Sequence, residues 1–126
     1  MRGELGPERG ASEYAAELGD TVMDLTLCGL GPDGHTASLF PHHPLLDATG
    51  LTAGITDSPK PPPERITLTL PALNASHKLM LLVAGADKAD ALARVLAGPD
   101  RGTPASLLDR EKLDVVADAA ALAQAA

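Results

Sequence analysis

The sequence predicts an α/β fold built on a mostly parallel sheet with helices on both faces, and three observations support this. Apolar runs of strand length recur at Asp24 to Cys28, Leu79 to Val83 and Leu113 to Ala117. Segments of helical character separate them, with glycine or proline at most junctions. Parallel neighbours need such crossovers, and strands buried on both faces read as continuous apolar runs. The chain has 126 residues and is expected to form one domain, 1–126. Its only aromatic residues of the Phe, Tyr and Trp type are Tyr14 and Phe40, so Leu, Ala and Val must build the core.

Pro7 to Leu18 reads as a helix with proline in its first turn, acidic residues early and Gly19 as its stop. It feeds the strand Asp24 to Cys28. His35 to Phe40 is expected to form a short helix ended by Pro41 and Pro44, with a loop following. Leu51 to Thr56 is a strand candidate. Asp57 to Glu64, DSPKPPPE, is expected to be stiff and extended, because each proline biases the residue before it away from helix. Arg65 to Leu70 alternates Ile66, Leu68 and Leu70 against Thr67 and Thr69, a strand with one buried face. Pro71 ends it and starts a helical turn to Ser76. After Leu79 to Val83 and Gly85 comes an amphipathic helix, Asp87 to Leu96. Pro104 to Leu108 reads as a short helix, Leu113 to Ala117 as the last strand and Asp118 to Ala126 as a terminal helix. A chain that enters its central strand directly from a helix is expected to be incomplete at the N-terminal side of the sheet, since an unpaired buried edge is a liability.

A net charge of −7 lacks the basic footprint that nucleic-acid binding needs. Cys28 is the only cysteine, which excludes an intrachain disulfide and thiolate zinc clusters and fits a reducing, cytoplasmic setting. The longest apolar run, Leu79 to Ala86, is far short of the roughly 20 residues of a membrane span. No apolar signal region opens the chain.

Function concentrates between Asp24 and Pro44, where a strand, a glycine-rich turn and titratable side chains coincide. Gly29, Gly31 and Gly34 fit GxGxxG after a strand. A dinucleotide site is rejected nonetheless: Pro41 cuts the following helix short, and Asp33 would set a negative charge beside the phosphates. A lone histidine is more often a packed or solvent-facing side chain than a base. His35 departs from that background because it follows Gly34 in a strand-end turn with Asp33 two residues away, which can hold an imidazole in a useful tautomer. His42 and His43 form at best an incomplete metal site, so no metal is expected, and Cys28 reads as core. Ser38 lies outside any GxSxG elbow, so hydrolysis here would need an activated water. Lys60, Arg65 and Lys88 are the cations closest to the strand ends. Lys88 has the best case, just after a strand and in the first turn of a helix.

The stretches GLGPDGHTASLFP, SPKPPPERITLTLPALNAS and VAGADKADAL closely resemble the 6-phosphogluconolactonase branch of the glucosamine-6-phosphate isomerase/6-phosphogluconolactonase superfamily. The resemblance extends to MRGELGPERGASEYAAEL, PASLL and DVVADAAA, and its order is that of the family's C-terminal portion. It implies a Rossmann-like α/β fold, no organic cofactor, and hydrolysis of 6-phospho-D-glucono-1,5-lactone to 6-phosphogluconate in the oxidative pentose phosphate pathway. Carried onto this chain, it makes His35 the general base and Asp33 its orienting partner. The N–H groups of the Gly29, Gly31 and Gly34 turn are expected to hold the oxyanion, and Arg65 and Lys88 the anionic end of the substrate. The family's N-terminal strands, glycine-rich sugar-phosphate loop and Asp-Glu-Arg segment have no counterpart here. A polypeptide supplying that half, or self-association, is therefore expected, with little activity from the chain alone. Two rival functions are a noncatalytic sugar-phosphate-binding module or truncated remnant, and a glucosamine-6-phosphate deaminase. The second is disfavoured because Ser38-Leu39-Phe40-Pro41 stands where that branch resembles a Phe-Asn-Glu-Pro pattern.

Overall fold

The computed structural model describes residues 1–125. Its frame is a three-stranded parallel sheet with spatial order β1-β4-β5, formed by β1 (Leu25–Gly29), β4 (Lys78–Val83) and β5 (Leu113–Ala117). Leu27 faces Met80 and Leu81 faces Val115 in register. The other strands, β2 (Thr52–Ile55) and β3 (Arg65–Leu68), form a separate antiparallel pair. This pair, which the sequence could not distinguish from sheet members, carries α1 (Pro7–Leu18). Thr52 donates its hydroxyl proton to the Ala11 carbonyl at 2.5 Å, tying helix to hairpin.

Side chains alternate across the parallel sheet, so each face has its own fate. On one face Cys28, Leu79, Leu81 and Val83 are buried against Leu73 of α2 (Leu70–Asn74), Leu92 and Val95 of α3 (Ala89–Ala97), and Leu108. On the other, Leu25, Leu27, Leu82 and Val116 remain 46–60% exposed. The expected parallel sheet is present, and among the described residues its helical cover lies on one face. Among the described residues, no strand lies beside the outer edge of β1.

Three local expectations are corrected. His35 to Phe40 is no helix: Thr36 and Leu39 bridge across a tight turn in which Ala37 has φ 50°, and Ser38 N–H donates to Thr67 Oγ1 at 3.1 Å. Left-handed backbone at Ala37 ends any helical path. The Asp57 to Glu64 segment is folded back instead of extended, with Ser58 N–H donating to the Pro63 carbonyl at 3.1 Å and a cis bond at Pro61–Pro62. After β5 the chain makes turns, because the Asp118 carboxylate accepts from Ala121 N–H at 2.8 Å and from Gly85 N–H at 3.1 Å. A side chain that bonds nearby backbone competes with helix formation. Ala126, the last residue of the expected terminal helix, lies outside the described residues.

Candidate active site

The site lies at the C-terminal end of β1, where ligands bind in open α/β sheets. From Gly31 the chain doubles back on itself. Gly31 N–H donates to the His35 carbonyl at 2.8 Å, and Gly34 N–H donates to the Gly31 carbonyl at 2.9 Å. A Cβ on Gly31 would collide with the His35 ring and the Asp33 carboxylate, so only glycine permits this approach. Gly34 has φ +93°, and a Cβ there would lie 2.9 Å from Thr103 Cγ2. The turn rests on the 3-10 helix Pro104–Leu107 and is bonded to it, Ala105 N–H donating to the Gly34 carbonyl at 3.0 Å.

Within this turn Asp33 Oδ1 accepts from the His35 ring Nδ1 at 2.5 Å and from the His35 backbone N–H at 3.2 Å. Burial pushes the Asp33 carboxyl up, but those hydrogen bonds and the charges of His35 and Lys60 outweigh it and hold the carboxyl below its ordinary range. Asp33 is therefore ionised at neutral pH and fixes the proton of a neutral His35 on Nδ1. Nε2 then carries the lone pair, and no described residue bonds to it. The ring packs on Phe40 with centroids 4.8 Å apart. His35 borders a cavity of about 300 Å³ with Gly29 to Pro32, Ala37 and Lys88. An imidazole oriented in this way can take a proton from a water in that cavity.

Sequence reasoning grouped seven residues, and the structure gathers six of them. Gly29, Gly31, Asp33, Gly34, His35 and Lys88 belong to the turn or to its cavity, and Lys88 Nζ donates to the Leu30 carbonyl at 2.5 Å. Arg65 is held apart, on a neighbouring cavity of about 480 Å³ that it shares with Ser38, Pro62 and Glu64. The expectation that the turn's N–H groups receive an oxyanion is corrected for Gly31 and Gly34, whose donors are consumed in closing the turn. Cys28 is buried and its thiol is pushed up by that burial, as suits a core residue. His43 accepts from Leu45 N–H on Nδ1, so its Nε2–H points to Asp57, 2.8 Å away. Among the described residues no group of three His, Cys, Asp or Glu is placed to hold a metal ion.

Two contributors carried no signal in the sequence. Phe40 supports the imidazole face, and Arg94 bridges the turn to its buttress, donating from Nε to Thr103 Oγ1 at 3.2 Å and from Nη2 to the Pro32 carbonyl at 3.4 Å. The Arg94 to Pro32 link joins residues 62 positions apart, which residue spacing does not reveal.

A family model described as glucosamine-6-phosphate isomerases/6-phosphogluconolactonase matches residues 1–117. The 6-phosphogluconolactonase of Rattus norvegicus is 48% identical over 112 residues, which cover 82% of this chain and 44% of the relative. The crystal structure of 6-phosphogluconolactonase from Thermotoga maritima superposes with a TM-score of 0.73 at 30% identity, over 86% of this chain and 50% of that one. A monomeric glucosamine-6-phosphate deaminase shares the fold, with a TM-score of 0.66 at 22% identity, over 89% of this chain and 51% of that one. The chain spans about half the length of the relatives it matches.

Proposed function

Since the chain belongs to the family of glucosamine-6-phosphate isomerases and 6-phosphogluconolactonases, we propose that its site hydrolyses 6-phospho-D-glucono-1,5-lactone to 6-phosphogluconate through a water deprotonated by His35. The single observation that carries this is the His35 Nδ1 to Asp33 contact of 2.5 Å, with Nε2 left unbonded beside the cavity. His35 Nε2 removes a proton as the water oxygen attacks the lactone carbonyl. A tetrahedral oxyanion forms, the bond between the carbonyl carbon and the ring oxygen breaks, and the proton passes to that ring oxygen. Asp33 keeps the tautomer and stabilises the transient imidazolium. Gly31 and Gly34 shape the turn, Gly29 forms part of the cavity wall, and Lys88 holds an anionic portion of the substrate from the Leu30 side. The cavity's lining includes no further carboxylate. That supports a lactonase over a deaminase, whose ring-opening and amine chemistry calls for one.

The reading has a second part. Activity requires strands that pair with the outer edge of β1 and cover Leu25, Leu27, Leu82 and Val116, supplied by the same polypeptide or by another. Parallel sheets are ordinarily covered on both faces, which supports this. The chain has no described helix long and apolar enough to cross a membrane. Our reading places the enzyme in a reducing, cytoplasmic setting, without a nucleic-acid partner.

The test is prompt measurement of lactone loss against the spontaneous background. It is run with the chain alone and with the portion of the rat relative that the chain does not span. In the active form, His35→Ala is expected to lower turnover about 10²- to 10⁴-fold. Unchanged turnover would overturn the role of His35, and no hydrolysis in any form would leave a sugar-phosphate-binding module as the better reading.

A further inference from the structure

Phe40 is the single phenylalanine of the chain and is 1% exposed. The His35 imidazole packs on it with ring centroids 4.8 Å apart, at an interplanar angle of 38°, closer to stacked than to edge-on. The Arg65 guanidinium carbon lies over the same ring, 5.5 Å from its centroid. That guanidinium is itself fastened. Its Nε donates to the Pro62 carbonyl at 3.1 Å, and its Nη2 to the carbonyls of Lys60 and Pro61 at 3.2 and 3.0 Å. A cation clamped to its own loop therefore fixes the ring against which the base rests.

This contact matters because the charge on His35 changes during the reaction proposed above. The neutral ring keeps its proton on Nδ1, where Asp33 accepts it at 2.5 Å. As Nε2 takes a proton from water, the electron pair of that O–H bond is left on the water oxygen, which bonds to the lactone carbonyl carbon, and the ring becomes an imidazolium. Asp33 meets this cation at one edge, in the plane of the ring, and a contact at one edge does not fix the ring's tilt. The negative face of an aromatic ring attracts a cation within about 6 Å of its centroid, more strongly where water is excluded. A neutral imidazole gains less from the same contact. The attraction therefore grows as the proton moves, which is the condition for lowering a barrier. Phe40 lines neither the cavity beside His35 nor the one that Arg65 borders, so it acts without meeting a molecule held in either.

We propose that Phe40 is a positioning residue for the proton transfer: its ring, fixed by the Arg65 guanidinium, holds the tilt of the His35 imidazole and stabilises the imidazolium as it forms. This inference rests on the lactonase reading above and adds to it a group that acts on turnover through the base alone.

Ring fluorination tests this directly, because each fluorine drains the negative face while changing the shape of the side chain little. With one phenylalanine in the chain, growth on a fluorinated phenylalanine alters position 40 alone. The labelled chain is assayed for lactone loss as above, with the unlabelled remainder added where activity requires it. From mono- to trifluorophenylalanine, kcat is expected to fall stepwise, by about 2- to 30-fold over the series, the span of cation–π contacts from exposed to desolvated sites. KM and the unfolding midpoint should not move. Phe40→Leu, which keeps an apolar side chain without a ring face, should lose at least as much turnover, and wild-type turnover in that variant would overturn the proposal. Constant kcat across the fluorine series, with His35→Ala still impaired, would overturn it and leave the lactonase reading intact. A fall in kcat matched by a rise in KM or a lower midpoint would also overturn it, since that would mark a packing effect. Full turnover in His35→Ala, or no lactone hydrolysis in any form, would remove the reading beneath the proposal, and the proposal with it.

Discussion

Gly34→Ala tests whether the turn that carries His35 is held by its buttress. At φ +93° an alanine adopts a left-handed backbone, which costs about 1–2 kcal/mol. Its Cβ would also lie 2.9 Å from Thr103 Cγ2 and 3.1 Å from Thr103 Cα, and crowding of a packed site costs about 1–3 kcal/mol. The two terms together predict a loss of about 2–5 kcal/mol, a large share of the roughly 5–15 kcal/mol that holds an ordinary domain folded. Followed by circular dichroism, the unfolding midpoint should fall by about 8–20 °C. Thr103→Ser removes the nearest clashing carbon and keeps the hydroxyl that Arg94 uses. The double variant should therefore recover part of the steric cost and leave the backbone cost in place. A Gly34→Ala protein within about 0.5 kcal/mol of wild type would refute the reasoning, as would a serine at position 103 that recovers nothing.

Two further outcomes follow from charge and burial. Because Asp33 titrates below its ordinary value of 3.8, its contribution to stability is present above that value and is lost as pH falls through the folded-state value. Asp33→Asn should thus be less stable than wild type at neutral pH and converge with it on acidification, and a gap that persists in strong acid would show packing rather than charge to be responsible. Leu81→Ala, at a fully buried position, should cost about 2–5 kcal/mol in urea unfolding. Leu27→Ser on the 60% exposed face should cost under about 0.5 kcal/mol, and an equal loss at both positions would mean that the open face is covered in solution.

Legibility in the sequence followed the range of the forces involved. α1 and β5 were readable to their end residues, because proline, glycine and the apolar pattern act locally. The pairing of Asp33 with His35 was readable for the same reason, being a contact between residues two apart. The turn at Ala37 was not, since it is set by Thr67 Oγ1 from another strand. Nor was the fold of Asp57 to Glu64: prolines stiffen a chain, but Arg65 decides where this one bends. The alanine-rich tail had helical propensity throughout, yet the Asp118 carboxylate captures the N–H of Ala121 and that of Gly85 across the sheet.

The support that Thr103 and Ala105 give to Gly34 has a consequence for the order in which the molecule assembles. β1 and the base-bearing turn leave the ribosome ahead of β4 and of the Pro104–Leu107 buttress. Closing the intervening loop costs entropy before any contact returns it, so a nascent chain that ends before Thr103 holds Asp33 and His35 without the wall that sets their geometry. The acid-base pair is made before its support and becomes a defined chemical object only when the crossover to β4 has closed and the buttress has docked.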